Sequence, residues 1–248
     1  MGITEIKIHY RPIPRIAWNR QLICKFPVAW VELSSNQLIT VSGILNRTVS
    51  DEAVIRSMLG VTKKVARRLS SFQRYSLISL MAFLNRYDPH DTFIIPSIGE
   101  LTSPLSRLKD EPFAAFLFAE HYFERYMKGS DPMDLARFVA CWYRRGAFSE
   151  QQVEASALEL QKSDPEILRA VALNYHLIRE WLAGAYPAVF EVSDRKQTQT
   201  AETSWLDVLD AIVGEDIIHH DDYAALPVNT VLRFLNARIK ESRKHGKR

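Results

Sequence analysis

His219-His220-Asp221-Asp222 is the densest run of metal-ligating and proton-transferring side chains in the sequence. On a helix only residues three or four apart share a face, so His219 and Asp222 are the one pair here that fits a common ion. Two ligands do not make a site. The run also lies between Ile217-Ile218 and Leu226-Pro227, where a solvated connector is expected, and no metal is assigned. Cys24 and Cys141 stand far apart, outside any CxxC arrangement and in apolar company, as in Ala140-Cys141-Trp142. They read as small core residues in a reducing cytoplasm. His121 and His176 sit inside apolar helical stripes and read as hydrogen-bonded packing residues rather than general bases. The sequence holds no GxSxG, HExxH, calcium-loop or phosphate-loop pattern. The expectation is a protein with no catalytic residues and no cofactor.

Charge offers a different chemistry. Lys and Arg number 32 against 29 Asp and Glu, a balance of +3 that implies no polyanion partner by itself. The distribution is uneven, however. From Ala53 to Tyr87 there is no acid, while Arg56, Lys63, Lys64, Arg67, Arg68, Arg74 and Arg86 are present. A basic helix pair with a short turn fits a DNA-binding helix-turn-helix in which Lys63, Lys64, Arg67, Arg68 and Arg74 meet phosphates. The competing reading is an exposed basic face, since Val61, Val65 and Leu69 recur between the cations at helical spacing. Further on, Glu202, Asp207, Asp210, Glu215, Asp216, Asp221 and Asp222 form an acidic block without Lys or Arg between Lys196 and Arg233. Such blocks are solvated faces, or they steer a segment onto a partner of opposite sign.

The elements that carry these residues are mainly helical. Ile6, Ile8 and Tyr10 alternate with polar neighbours, and a second short apolar run spans 20–26, so an N-terminal β-hairpin is predicted. The period then becomes 3.6. Helix starts are predicted at Ser34, Ser50, Ser70 or Ser71, Asp131-Pro132, an S-x-x-Q capping box at Ser149, Asp164-Pro165 and Pro227. In the third of these helices Tyr75, Ile78, Leu80, Met81 and Leu84 form the apolar stripe. A short β-type run is expected at 93–98, and the segment from Phe113 is apolar nearly all round, as in a helix buried on more than one side. With 47% hydrophobic residues and nine glycines, the composition is that of a globular chain. The fold class is mainly α, a multi-helix bundle with a small N-terminal β-hairpin. Its organisation reads as a body at 1–190, a flexible linker at 191–203 and a C-terminal two-helix segment at 204–248. No apolar run reaches the roughly 20 residues that cross a bilayer, and the N-terminus lacks a signal core. A cytoplasmic location without membrane attachment is therefore expected.

Phe26-Pro27-Val28-Ala29-Trp30-Val31-Glu32-Leu33 followed by Gln37-Leu38 resembles an F-P-x-x-W-x-E-L-(x3)-Q-L opening of uncharacterised prophage proteins from Bacteroidetes-type bacteria. The layout behind it is similar to that of phage tail assembly chaperones. The resemblance implies a non-enzymatic assembly protein whose second segment engages a tail or tape-measure protein. The same residues also have a local account, with Leu33 stapled onto the helix that Ser34 or Ser35 caps and Trp30 closing the hairpin.

Trp205, Leu209 and Ile212, with Leu232 and Leu235, are the candidate partner-binding residues, because a two-helix segment behind a linker buries little on its own. The rival to that reading is that these side chains dock back on the body as core.

Overall fold

Strand alternation at the N-terminus needs a partner of the same period, and the second apolar run supplies it. In the computed structural model, which describes residues 4–11, 20–190, 205 and 220–245, β1 (Thr4–Tyr10) pairs antiparallel with β2 (Arg20–Phe26), Ile8 opposite Leu22 and Ile6 opposite Cys24. Ile8, Cys24 and Phe26 are buried, while Lys7, His9, Gln21, Ile23 and Lys25 face water. Among the described residues everything else of size is helical, and the fold is mainly α with a small N-terminal hairpin. The chain divides into two compact units, Met1–His90 and Asp91–Arg248. That division falls within the stretch that the sequence reads as one body. The expected linker at 191–203 lies outside the described residues.

In the first unit the helix starts are set by local hydrogen bonds. Ser34 caps α1 (Ser35–Leu45) in a capping box: its hydroxyl accepts the Gln37 N–H, and the Gln37 side-chain oxygen accepts the Ser34 N–H. Ser50 caps α2 (Asp51–Leu59), where Asp51 and Glu52 meet the positive end of the helix dipole. Gly60 ends α2 at a φ of 64°, a left-handed conformation that glycine adopts without strain. A four-residue α3 (Lys63–Ala66) follows, and then α4 (Ser71–Leu80), again with a capping box, Ser70 with Gln73.

Most of the motif residues at 26–38 that carry the prophage resemblance are occupied in holding this unit together, although Val31 among them is exposed. Phe26, Trp30, Leu33 and Leu38 are buried. Trp30 stacks with Tyr87 and meets the edge of Phe83, and its indole N–H donates to the Arg86 carbonyl at 2.5 Å. Glu32 accepts the Val28 N–H at 2.8 Å, and the Gln37 amide donates to the Met58 carbonyl at 3.2 Å, tying α1 to the end of α2.

In the second unit the run at 93–98 yields strand only at β3 (Ser97–Ile98), paired with β4 (Leu101–Thr102). Phe93 and Ile95 are buried all the same. Their backbone needs no strand partner because helical side chains serve it. Asn174 accepts the Ile94 N–H at 2.6 Å and donates to the Thr92 carbonyl at 3.1 Å, and the Tyr143 hydroxyl donates to the Ile95 carbonyl at 2.6 Å. The body consists of α5 (Phe113–Gly129), α6 (Pro132–Trp142), α7 (Glu150–Leu160) and α8 (Pro165–Ala185). Asp131 and Asp164 cap α6 and α8, each followed by a proline at the first helical position. Ser149 precedes α7 but forms no capping box, which corrects the sequence expectation: the Gln152 N–H goes to the Ser149 carbonyl rather than to its hydroxyl. Phe93, Phe123, Phe138, Trp142 and Tyr175 form the aromatic core, with ring centroids 5.0–6.4 Å apart.

The C-terminal region is α9 (His220–Ala225) and α10 (Val228–His245). Residues 220–225 are therefore helix, where a loop is predicted. The turn between these helices pairs with the start of α5: the Phe113 N–H donates to the Leu226 carbonyl, and the Val228 N–H to the Glu111 carbonyl, both at 2.8 Å. Among the described residues no helix is long and apolar enough to cross a membrane.

Gly43 illustrates how tightly α1 is packed. A Cβ there would lie 2.6 Å from Val49 Cγ1, a stiff branched side chain. Gly43→Ala would gain about 1 kcal/mol of helix propensity and lose about 1–3 kcal/mol to overpacking. The expected result in urea unfolding is a net loss of stability. Adding Val49→Ala should make the double variant more stable than the sum of the two single changes.

Candidate functional site

Three of the five candidate partner-binding residues point into the second unit. Trp205 is 6% exposed; its indole N–H donates to Glu120 at 3.0 Å, and its ring meets the edge of Phe116 at 4.8 Å and lies 5.6 Å from Phe190. Leu232 and Leu235 are buried on α10. Leu209 and Ile212 lie outside the described residues, as does His219. Trp205, Leu232 and Leu235 thus serve as core of their own unit, the docked arrangement that the sequence left as the rival reading.

The carboxylates inside this unit are closed off as well. Glu120 has no exposed surface; it accepts the Tyr175 hydroxyl at 2.6 Å, Arg179 Nε at 3.2 Å and the Trp205 indole. Asp134 is answered by Arg125 at 3.0 Å and Arg137 at 3.4 Å, and Glu111 pairs with Arg144. Burial, followed by the charge of Glu120, holds the Tyr175 phenol well above its usual range. Burial likewise raises the Cys141 thiol, which makes it an unreactive core group. A cavity of about 70 Å³ is lined by Arg144, Arg145, Phe148, Ser149 and Gln152 among others. Its arginines already pair with acids, Arg145 with both Glu100 at 3.1 Å and Glu159 at 2.8 Å. Among the described residues no group of three His, Cys, Asp or Glu is placed to hold a metal ion.

The basic segment is only partly available to a polyanion. Lys63 and Arg67 both pair with Glu52, at 3.7 and 2.7 Å. Arg74 donates to the Leu69 and Ala66 carbonyls, both at 3.3 Å, and so caps the end of α3. Lys64 is exposed and Arg68 half-buried. With four residues α3 is about 6 Å long at 1.5 Å per residue. That is too short to lie along a major groove as a recognition helix.

The surface that stands out overlaps the end of this segment and corrects the sequence reading of α4. Tyr75 and Ile78 are predicted to face the core, yet Leu77 is the residue of α4 that is buried. Phe72 is 78% exposed, Tyr75 71% and Ile78 57%. Spaced at i, i+3 and i+6, they form one stripe on α4, interrupted only by Ser71 and Ser79 and free of charge. Beside the stripe runs an apolar groove of about 60 Å³ between α2 and α4, with Phe26, Val54, Ile55, Met58, Leu77 and Ile78 among its lining residues and Asp51 and Arg74 at its rim. A signal for this was present in the sequence. Apolar residues at 72, 75, 77, 78 and 80 are too many for one face of a ten-residue helix, so some had to face water.

His121 and His176 are both held below the ordinary imidazole value of 6.5, His121 by burial and Arg125 against Asp134, His176 by burial and Arg179 against Glu180. The unfolded chain therefore takes up protons before the folded one does. Stability should be full above pH 6.5 and decline as the pH falls through the imidazole range. Thermal unfolding between pH 8 and pH 5.5 is expected to show that decline, and a His121→Gln/His176→Gln chain should flatten it. In comparison with known proteins, the chain matches no family model, and no curated protein or solved structure is similar to it.

Proposed function

We propose that this chain is a non-enzymatic assembly protein that binds a protein partner through the Phe72–Tyr75–Ile78 face of α4. The observation that carries the reading is the exposure of three large apolar side chains on one uncharged helix face next to an apolar groove. Burying each of them against a partner is worth about 1.5–3 kcal/mol, and contiguous apolar surface of this kind marks interaction sites on otherwise polar proteins. An anchor on a rigid helix also loses little entropy on binding. The buried carboxylates of the second unit, Glu111, Glu120 and Asp134, are answered by neighbouring donors and the Cys141 thiol is buried, which supports a binding role over catalysis. A protein partner is favoured over DNA because the outward face of α4 carries no cation and α3 is short. The phage-tail setting, with a tail or tape-measure protein as partner, rests on the resemblance carried by residues 26–38. The surface expected to do the binding moves from the C-terminal segment to the first unit.

A photo-crosslinking residue in place of Tyr75, in the full chain co-expressed with the proteins encoded beside it, tests this directly. The expected product is a covalent adduct with one of those proteins, lost when Phe72 and Ile78 are changed to Ser. An adduct with nucleic acid, or none at all, would refute the reading.

A further inference from the structure

The charge of the first unit bears on what kind of protein segment the α4 face takes. Residues 1–90 carry thirteen Lys and Arg against five Asp and Glu, whereas residues 91–248 carry nineteen against twenty-four. The first unit is thus the basic part of a nearly balanced chain. From the above reading of α4 as the binding face, we infer that its occupant is an acidic amphipathic helix, with one apolar side chain seated in the α2–α4 groove and carboxylates on its flanks.

The shape argues for a helix. From Phe72 to Ile78 the stripe rises about 9 Å along α4 at 1.5 Å per residue. It is one side chain wide, the geometry of a ridge that packs into the groove between rows of side chains on a crossing helix. α4 is itself helical, so the stripe offers an incoming strand no backbone edge to pair with. The groove of about 60 Å³ is bounded by Val54, Ile55, Met58 and Leu77, with Phe26 lining it too. That is room for the tip of one aliphatic side chain, as when an anchor at one position of a helix is followed by contacts at the next turns.

The charge argues for acids. The segment leading into α4 exposes Lys63, Lys64 and Arg67 and half-exposes Arg68, and the ion pairs of this segment among the described residues all go to Glu52. The groove rim holds one acid and one base, Asp51 and Arg74, so the bias comes from the surroundings rather than from the rim. Carboxylates on the flanks of an incoming helix would meet these cations, raising the association rate and selecting against basic competitors. A second copy docking α4 against α4 would bring two basic units together and is disfavoured on the same ground. Nucleic acid would need cations within the stripe, where Ser71 and Ser79 stand instead.

The experiment is a selection of random 20-residue helical peptides displayed on their own messenger RNA against the immobilised full chain. The expected winners carry apolar residues at helical spacing and Asp or Glu elsewhere. Their affinity should fall at least about tenfold for Phe72→Ser/Tyr75→Ser/Ile78→Ser. It should also fall by about tenfold at low salt for Lys64→Glu/Arg68→Glu, a change in an exposed and a half-exposed cation that leaves the apolar face intact. Winners that need the α4 face but are neutral or basic would overturn the acidic occupant and leave the binding face standing. Winners indifferent to the triple change, or no enrichment, would overturn both. A chain that self-associates through α4 in sedimentation would overturn the acidic helix in favour of a second copy.

Discussion

A carboxylate with no access to water has to be answered by donors, and Glu120 sets that requirement at the centre of the second unit. Its three partners come from α8 and from Trp205, well separated in the chain: Tyr175, Arg179 and the indole N–H. Removing any one would leave part of a buried charge unmatched, a cost of several kcal/mol. The arrangement therefore specifies more than it stabilises. It sets α5 against α8, brings the residue at 205 back onto Phe116, and orients Tyr175 in the aromatic core between Phe123, Phe138 and Trp142. An apolar side chain at position 120 would pack as well but would dictate none of this.

The first unit is organised on the opposite principle. No buried charge anchors it among the described residues, and its longest-range polar links close onto backbone carbonyls, as the Trp30 indole does on Arg86 and Gln73 on His9. What distinguishes this unit is the apolar surface left outside. The α2–α4 groove and the stripe on α4 share Ile78, so an apolar path runs from the buried floor at Phe26 to the surface. In the proposed reading a partner covers this surface, and the basic surroundings favour an acidic one. The candidate binding surface is thus what the first unit leaves unburied, whereas Glu120, Asp134 and Cys141 of the second unit are held in its core.

Helix starts were legible because capping is a local interaction. Ser34, Ser50, Ser70, Asp131 and Asp164 each bond a backbone N–H two or three residues ahead, and residue type and spacing suffice to recognise them. Ser149 shows the margin of that rule: the same S-x-x-Q spacing occurs there, yet the hydroxyl makes no capping bond. The run at 93–98 is apolar enough for a strand, but whether it pairs depends on Asn174 and Tyr143, far along the chain.

The amino-acid order by itself determined the hairpin, the helical class and most helix boundaries, because each follows from periodicity and short-range bonds. Only the tertiary structure decided which side of α4 meets water, that Trp205, Leu232 and Leu235 are core, that residues 220–225 are helical and where the two compact units divide. The physical reason is the same in each case. An apolar residue at helical spacing is equally suited to a core or to a binding face, and the choice depends on which distant side chains come to lie against it.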